Sequence, residues 1–201
     1  MTFVLISQKV CVSNAYKERR DGLDQQWYKF LAQGGITPIP VPNDLAIAKR
    51  IFGNLEASGL ILSGGNDLAS VGGDAPERDR VENYLLSEAI NQRCPVIGIC
   101  RGMQFIAEYY GSRIDSITNH AGRDHEVRFQ DGTSRMVNSY HNYGLFALAK
   151  HMAPLALSHD GSIEAFKHPK LPIAAFGWHP ERFNQPDSWD IGFFKQWFGV
   201  E

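Results

Sequence analysis

Cys100 lies in a sequence pattern that is typical of a nucleophile. In Gly98-Ile99-Cys100-Arg101-Gly102, an apolar run that begins at Pro95 meets a segment with helical periodicity. A sharp turn from strand into helix needs glycine on both sides, because a side chain there would collide with the turn or with the adjacent strand. Such a turn would lift the sulfur to the carboxyl end of a sheet and to a helix N-terminus, which favours the thiolate. The alternative is a small, inert cysteine buried at a tight turn.

A base for this cysteine could come from His179, far along the chain. It follows an apolar run in Gly177-Trp178-His179-Pro180-Glu181. A cysteine nucleophile needs a base within hydrogen-bond reach, and that base needs a third group that fixes its tautomer. Residues two apart on an extended segment project the same way, so Glu181 could hold the imidazole of His179. Histidine beside glutamate is common in loops, so this triplet gains its weight from the pattern around Cys100.

The elements that would position these residues alternate between strands and helices. Short apolar runs predict strands at Phe3–Ser7, Ile36–Val41, Leu60–Ser63 and Pro95–Ile99. Helical periodicity predicts helices over Tyr16–Gln33, Asp44–Leu55, Asp79–Arg93, from Cys100 to about Tyr110, and over Trp189–Phe198. This order predicts an α/β fold with a mostly parallel central sheet and helices on both faces. Further strands, in hairpins or a small extra antiparallel sheet, are expected at Glu126–Phe129, Ser134–Asn138, Leu155–Ser158, Ile163–Lys167 and Ile173–Trp178.

Composition sets limits on the class of protein. The 201 residues suit a single domain, residues 1–201, with a sizeable core. A net charge of −2 gives no sign of a nucleic-acid surface, and no segment approaches the roughly 20 apolar residues of a membrane span. Three cysteines cannot all pair, so reduced thiols and a cytoplasmic location are expected. The basic residues around Arg19 and Arg20 are expected on a solvated helix face, and the seven histidines show no metal-ligand spacing.

Five blocks of residues together resemble one known family. They are Leu62-Ser63-Gly64-Gly65-Asn66-Asp67, Arg78-Asp79 with Glu82, Gly98–Gln104, Asn138-Ser139-Tyr140-His141 and Trp178–Arg182. In this order they resemble the class I glutamine amidotransferase superfamily and, within it, the γ-glutamyl hydrolase branch that includes γ-glutamyl-γ-aminobutyrate hydrolases. The resemblance extends over nearly the whole chain and implies a flavodoxin-like sheet.

The resemblance also implies roles for individual residues. The nucleophile, base and acid would be Cys100, His179 and Glu181, and the reaction would need neither a metal nor an organic cofactor. The N–H groups of Arg101 and Gly65 would form an oxyanion hole. The residues expected to contact the glutamyl group are Gly64, Gln104, Tyr140, His141 and Asn142. His120 and His125 match a recurrent family block and are interpreted as ordering the nearby loop rather than as metal ligands.

The leaving group of the substrate is less constrained. Ile6–Lys9, Tyr16–Trp27, Ile163–His168 and Trp178–Arg182 are similar to segments of bacterial hydrolases that act on γ-glutamyl-CDP-amidate in capsule phosphoramidate synthesis. That likeness implies a nucleotide-linked substrate whose diphosphate would meet Lys17, Arg19, Arg20 or Arg123.

Three other interpretations stay open beside this one. A glutaminase subunit that delivers ammonia to a synthetase would use the same triad. A non-catalytic binding protein could retain the fold, although the intact triad pattern speaks against that interpretation. The third is a related stress-protein fold that also carries a cysteine at a sharp turn from strand into helix, but proteins of that group lack a downstream His-Pro-Glu. A homodimer also stays open, because an exposed apolar patch cannot be told from core in a sequence.

Overall fold

The computed structural model describes residues 1–13 and 15–200. Its strands are β1 (Thr2–Ser7), β2 (Lys9–Ser13), β3 (Glu18–Gly22), β4 (Ile36–Val41), β5 (Gly59–Leu62), β6 (Val96–Ile99), β7 (Asp115–Ser116), β8 (His125–Phe129), β9 (Ser134–Val137), β10 (Tyr143–Gly144), β11 (Ala153–Ser158), β12 (Ile163–Lys167) and β13 (Ile173–Phe176). Its helices are α1 (Gln26–Gln33), α2 (Leu45–Asn54), α3 (Pro76–Asn91), α4 (Arg101–Tyr109) and α5 (Ser188–Trp197). Single 3-10 turns occupy Ala69–Val71 and Pro180–Arg182.

A nine-stranded sheet in the order β4-β1-β5-β6-β13-β12-β11-β8-β9 forms the centre of the molecule. The first five strands of that order are parallel, and the remaining pairings are antiparallel. Taken by themselves, the five parallel strands run 2-1-3-4-5 in chain order, which is the flavodoxin-like arrangement. The predicted fold class is therefore confirmed, and the carboxyl ends of the parallel strands form the edge where such sheets bind ligands.

Alternating residues of the parallel strands face two separate cores. Leu5 of β1 packs with α2, α3 and α4 on one face of the sheet. Its neighbours Val4 and Ile6 pack on the other face, against aromatic side chains of α1 and α5 such as Phe30 and Phe194. Because successive side chains of a strand point to opposite faces, one buried strand supplies both layers. Strands buried on both faces account for the unbroken apolar runs in the sequence.

The predicted helix over Tyr16–Gln33 is wrong in its first part. Residues 9–13 and 18–22 form an antiparallel hairpin, β2–β3, and the helix α1 begins only at Gln26. The hairpin is held from outside its own sequence, because Asp21 accepts hydrogen bonds from the backbone and side-chain amides of Asn43. Arg19 and Arg20 therefore lie on a hairpin strand and not on a helix face.

The strands of the second half mostly extend the central sheet. β12, β11, β8 and β9 continue it in antiparallel fashion beyond β13. The small extra antiparallel sheets are two-stranded, β2 with β3 and β7 with β10. Among the helices of the described residues, none is long and apolar enough to cross a membrane.

Candidate active site

Cys100 lies at the corner between β6 and α4. Its backbone has φ 52° and ψ −103°, a conformation that L-residues rarely adopt, and it precedes the first helical residue, Arg101. The backbone N–H of Cys100 donates to the carbonyl of Phe176 at 2.7 Å, which ties the corner to β13. Strain of this kind is concentrated at functional positions. The predicted turn from strand into helix is present.

The two glycines around Cys100 are required by their neighbours. A Cβ on Gly102 would lie 2.0 Å from the backbone oxygen of Leu62 on β5. A Cβ on Gly98 would lie 2.7 Å from the oxygen of Gly102 and 2.6 Å from the side chain of Ile106. A side chain at either position would therefore collide with the corner itself or with the adjacent strand, which is the steric reason expected from the sequence.

The imidazole of His179 lies beside the Cys100 sulfur and is held by Glu181. Nδ1 of His179 is 2.7 Å from Oε1 of Glu181, and both side chains are buried. Glu181 stands in the 3-10 turn that follows His179, so the turn directs the carboxylate back onto the imidazole. Cys100 comes directly after β6, and His179 lies shortly after β13. These two strands pair in parallel, so both residues lie at the carboxyl ends of neighbouring strands.

Charge around Cys100 favours its thiolate. Burial by itself raises the pKa of the Cys100 thiol, but the positive charge of His179, followed by that of His141 and the N–H of Arg101, holds the pKa below its usual value. Burial likewise disfavours a charged imidazole at His179, yet the neighbouring Cys100 and Glu181 raise the pKa of His179 to about 9. The site therefore supports a thiolate–imidazolium pair near neutral pH, which is the reactive form of a cysteine nucleophile.

Asn138 fixes the backbone of His179, a role that was not predicted from the sequence. Its side-chain amide donates to the carbonyl oxygen of His179 at 2.8 Å, and its side-chain oxygen accepts from the N–H of His179 at 2.8 Å. Both residues are buried. Asn138 opens one of the five blocks that carry the family resemblance, so the block was visible in the sequence although its purpose was not.

Gly64 and Gly65 form the turn after β5 that faces this corner. A Cβ on Gly64 would lie 2.4 Å from Cε1 of His179, so Gly64 makes room for the imidazole. Gly65 has φ +87° and lines the cleft beside Cys100. Nη1 of Arg78, a fully buried side chain, donates to the carbonyl oxygen of Gly64 at 3.1 Å and also to that of Gly65. Since a trans peptide directs its N–H opposite to its C=O, the N–H of Gly65 points away from Arg78.

A buried carboxylate, Glu82, joins this turn to the start of α4. Oε1 of Glu82 accepts from Nε of Arg78 at 2.8 Å and from the hydroxyl of Ser7 at 2.7 Å. Its other oxygen accepts from the guanidinium of Arg101, which also contacts Asp79. Burial raises the pKa of Glu82, but Arg101 and Arg78 more than offset this and hold the pKa low. The two predicted oxyanion donors, Gly65 and Arg101, thus rest on one ionic cluster.

A cleft of about 590 Å³ opens in front of Cys100. The predicted site residues that line it are Gly65, Cys100, Arg101, Gln104, Tyr140, His141, Asn142 and His179. Gly64 and Glu181 lie behind the imidazole, where they border a small cavity of about 20 Å³. The structure therefore brings together every predicted site residue, with Gly64 against His179 and away from the open cleft.

Three of the other predicted substrate-binding residues, Gln104, Tyr140 and His141, are held by contacts with their surroundings. The amide of Gln104 donates to the carbonyl of Tyr143 at 2.9 Å, and Nδ1 of His141 lies 3.0 Å from the same carbonyl. The ring of Tyr140, which is half exposed, contacts the imidazole of His179 edge-on at a centroid distance of 5.5 Å. The guanidinium of Arg182 lies over the Tyr140 ring, 4.7 Å from its centroid. Aromatic and cationic groups thus flank the entrance of the cleft.

Of the residues expected to meet a diphosphate, Lys17, Arg19 and Arg20 belong to the β2–β3 hairpin beside this entrance, whereas Arg123 lies outside it, in the loop before β8. Nε of Arg19 donates to Glu77 at 2.7 Å, and its Nη2 donates to the carbonyl of Asp74, which lines the cleft, at 2.8 Å. Arg20 pairs with Glu18 on the same strand. The hairpin therefore borders the cleft, but both guanidinium groups already have carboxylate partners.

Comparisons with known proteins agree with this arrangement. The profile of the family described as "Glutamine amidotransferase class-I" matches residues 18–195. Gamma-glutamyl-CDP-amidate hydrolase of Campylobacter jejuni is 33% identical over 98% of this chain and 98% of its own length. A glutamine-hydrolysing GMP synthase subunit of Methanococcus aeolicus is 30% identical over 70% of this chain and 73% of its own.

Solved structures share the fold at lower sequence identity. A protein from Thermoplasma acidophilum that is proposed to be a GMP synthase subunit superposes with a TM-score of 0.75 at 21% identity, covering 100% of this chain and 94% of its own. A glutamine amidotransferase from Thermotoga maritima superposes with a TM-score of 0.63 at 15% identity, covering 90% and 76%. These likenesses concern the fold.

Proposed function

Since the chain belongs to the glutamine amidotransferase class-I family, we propose that it hydrolyses the amide bond of a γ-glutamyl group with Cys100 as the nucleophile. The observation that carries this proposal is the imidazole of His179, which lies beside the sulfur and is held at 2.7 Å by Glu181. A buried acid that orients the base, next to a cysteine at a helix N-terminus, is the arrangement that nucleophilic acyl transfer requires.

In the first half of the reaction the thiolate of Cys100 attacks the δ-carbonyl carbon. A carbon–sulfur bond forms, and the π electrons of the carbonyl move onto its oxygen. The N–H groups of Gly65 and Arg101 donate to this oxyanion, each lowering the barrier by about 3–4 kcal/mol. The imidazolium of His179 then gives its proton to the departing nitrogen, and the carbon–nitrogen bond breaks to leave a glutamyl thioester.

In the second half His179, now neutral, accepts a proton from water. The resulting hydroxide attacks the thioester carbon, and the electron pair of the carbon–sulfur bond returns to Cys100 as thiolate. Glutamate leaves the site, and Glu181 keeps Nδ1 of His179 protonated throughout, so that the other ring nitrogen faces the reaction. No step needs a metal or an organic cofactor.

For the substrate we propose γ-glutamyl-CDP-amidate, used in the synthesis of capsule phosphoramidate. The support is the 33% identity to the Campylobacter hydrolase, which extends over 98% of both chains. Family membership by itself supports γ-glutamyl-γ-aminobutyrate equally well. The proposed glutamyl-binding residues therefore support the γ-glutamyl part of the substrate, and the full-length likeness supports its CDP-amidate part.

A glutaminase that works as part of a larger synthetase is the second candidate function. It is favoured by the 30% identity to a glutamine-hydrolysing GMP synthase subunit. The two candidates share the triad, so they differ in what the cleft accepts and in whether a partner protein is needed.

The experiment is a glutamate-release assay on the purified protein. We expect turnover with γ-glutamyl-CDP-amidate that exceeds turnover with γ-glutamyl-γ-aminobutyrate, folyl polyglutamate and glutamine. Cys100→Ala should abolish release, while Cys94→Ala serves as the matched control, because burial raises the pKa of the Cys94 thiol to about 11 and this residue lies outside the cleft. Substantial release by Cys100→Ala would refute the mechanism. Strong activation on glutamine by a co-purifying synthetase would favour the second candidate.

A further inference from the structure

Three histidines surround one buried carboxylate behind the active-site cleft. Nδ1 of His120 lies 3.3 Å and Nε2 of His125 lies 3.7 Å from the same oxygen, Oε1 of Glu164. Nε2 of His141 lies 3.5 Å from the other oxygen, Oε2. The side chain of Glu164 is 1% exposed and that of His120 is 3% exposed. The mechanism uses neither of these two residues.

A hydrogen bond on the far side of the His120 ring leaves its other nitrogen facing Glu164. Nε2 of His120 lies 3.1 Å from Oδ2 of Asp160, so this nitrogen carries the proton and donates it. In a neutral His120 ring, Nδ1 is then the nitrogen with a lone pair, and it points at an oxygen of Glu164 that also carries lone pairs. In the part of the chain that the structure describes, Nδ1 of His120, both ring nitrogens of His125 and Oε2 of Glu164 are buried without a hydrogen-bond partner. Buried polar atoms of this kind call for an explanation.

The sequence pattern favoured a loop-ordering role for His120 and His125, but from this geometry we propose that they and Glu164 bind a divalent transition-metal ion, with Zn²⁺ as the best match. Two imidazoles and one carboxylate form a ligand set that Zn²⁺ takes in proteins, with a fourth position for water. Two ligands at about 2.0–2.1 Å from a tetrahedral ion lie about 3.3–3.4 Å apart. The observed separations of 3.3 and 3.7 Å from Oε1 of Glu164 are close to that value, and one atom from each residue lies within 4.8 Å of the others.

The surroundings supply second-layer contacts for two of the three ligands, His120 and Glu164. A ligating histidine usually donates its other N–H to a carboxylate, and Asp160 plays this part for His120. Ser162 donates to Oε1 of Glu164 at 3.3 Å, which orients the carboxylate. The ion would join the loop that carries His120 to strands β8 and β12. Its position behind His141 gives it a structural role, one residue removed from Cys100.

The test is Zn²⁺ binding by the full chain with Cys100→Ser, which removes the active-site thiol as a competing ligand. After treatment with a chelator and its removal, the protein is titrated with Zn²⁺ against a chromophoric chelator. We expect one ion per chain and a rise in the thermal midpoint. His125→Ala should weaken binding by more than about tenfold, and Asp160→Asn, at a partly exposed position, by about 10–100-fold.

His159→Ala is the matched control, because this exposed histidine lies next to Asp160 but outside the cluster. It should bind Zn²⁺ as tightly as the parent protein. The proposal is overturned if the parent retains no ion at micromolar Zn²⁺, which would mean that protons on the imidazoles balance Glu164 instead. It is also overturned if His125→Ala and Asp160→Asn bind as the parent does. Neither outcome depends on the identity of the substrate.

Discussion

Replacing Asn138 by alanine tests whether the backbone of His179 must be held for the site to work. Asn138 makes two hydrogen bonds of 2.8 Å to the N–H and the C=O of His179. Both bonds end on backbone atoms, so the substitution leaves the nucleophile, base and acid chemically intact. Any effect on turnover must pass through the position of His179.

The size of the effect follows from burial. His179 is 2% exposed and Asn138 is 5% exposed, so the two freed backbone groups would lie out of contact with water. An unsatisfied buried donor or acceptor costs about 1–3 kcal/mol, which gives a loss of about 2–6 kcal/mol in the free energy of unfolding. A displacement of the imidazole by about 1 Å would lower kcat by about 100-fold.

Urea denaturation measures the first quantity, and glutamate release measures the second. Asn54→Ala is the matched control, since Asn54 is an exposed asparagine whose amide donates to the carbonyl of Arg50 within α2. A surface substitution of this kind should change stability by less than about 0.5 kcal/mol. The rate of alkylation of Cys100 at neutral pH gives a third readout, because a displaced imidazolium lowers the thiolate fraction.

This role for Asn138 would be contradicted if Asn138→Ala lowers the free energy of unfolding by less than about 1 kcal/mol and leaves kcat unchanged. That result would mean that the turn Pro180–Arg182 positions His179 without help. A protein that loses stability but retains the kcat and the alkylation rate would separate the two roles and remove Asn138 from the positioning of the base.

Three further predictions concern the surroundings of the thiolate. Alkylation of Cys100 by iodoacetamide should show a pKa below the usual cysteine value, and His179→Ala should move that pKa upward, since burial would then act with less opposition; an unchanged pH profile in His179→Ala would contradict the ion pair. Gly64→Ala should abolish turnover, because the new Cβ would lie 2.4 Å from the imidazole, whereas Gly53→Ala, where a Cβ meets nothing within 4 Å, should leave turnover unchanged. Glu82→Gln should lower the free energy of unfolding by about 3–5 kcal/mol in urea, because two buried guanidinium groups lose a shared anion; a loss under about 1 kcal/mol would show that the two cations do not depend on Glu82.

The parallel half of the fold was predictable because its signals are local. Runs such as Leu60–Ser63 are apolar almost throughout, because strands buried on both faces have no solvent-exposed face that would carry polar side chains. The segment before α1 was mispredicted for the opposite reason. Its charged residues fit a helical period, but pairing with β2 and the contact of Asp21 with Asn43 hold it extended. Contacts between distant segments overrode local preference, and local periodicity carries no trace of them.

The corner at Cys100 was predictable because sterics alone demand its glycines. The support of the site was not, because Asn138, Arg78 and Glu82 act through residues far from them in the chain. Their side chains meet the site only once β5, α3 and the strand before His179 lie side by side. Buried polar side chains of this kind look like ordinary surface residues in a sequence. The family blocks include these positions but do not indicate what the side chains do.

The ionic cluster around Glu82 is better explained by the geometry of the proposed oxyanion site than by stability. Each buried ion costs several kcal/mol in lost hydration, and a well-packed apolar group of similar volume is often as stable. Apolar groups, however, cannot fix the direction of backbone carbonyl and N–H groups by hydrogen bonding. Arg78 turns the carbonyls of the Gly64–Gly65 turn inward, Arg101 anchors the first turn of α4, and Glu82 binds both guanidinium groups. The proposed N–H donors of Gly65 and Arg101 are thereby set at a fixed separation before substrate arrives, which is the preorganisation that makes such donors effective.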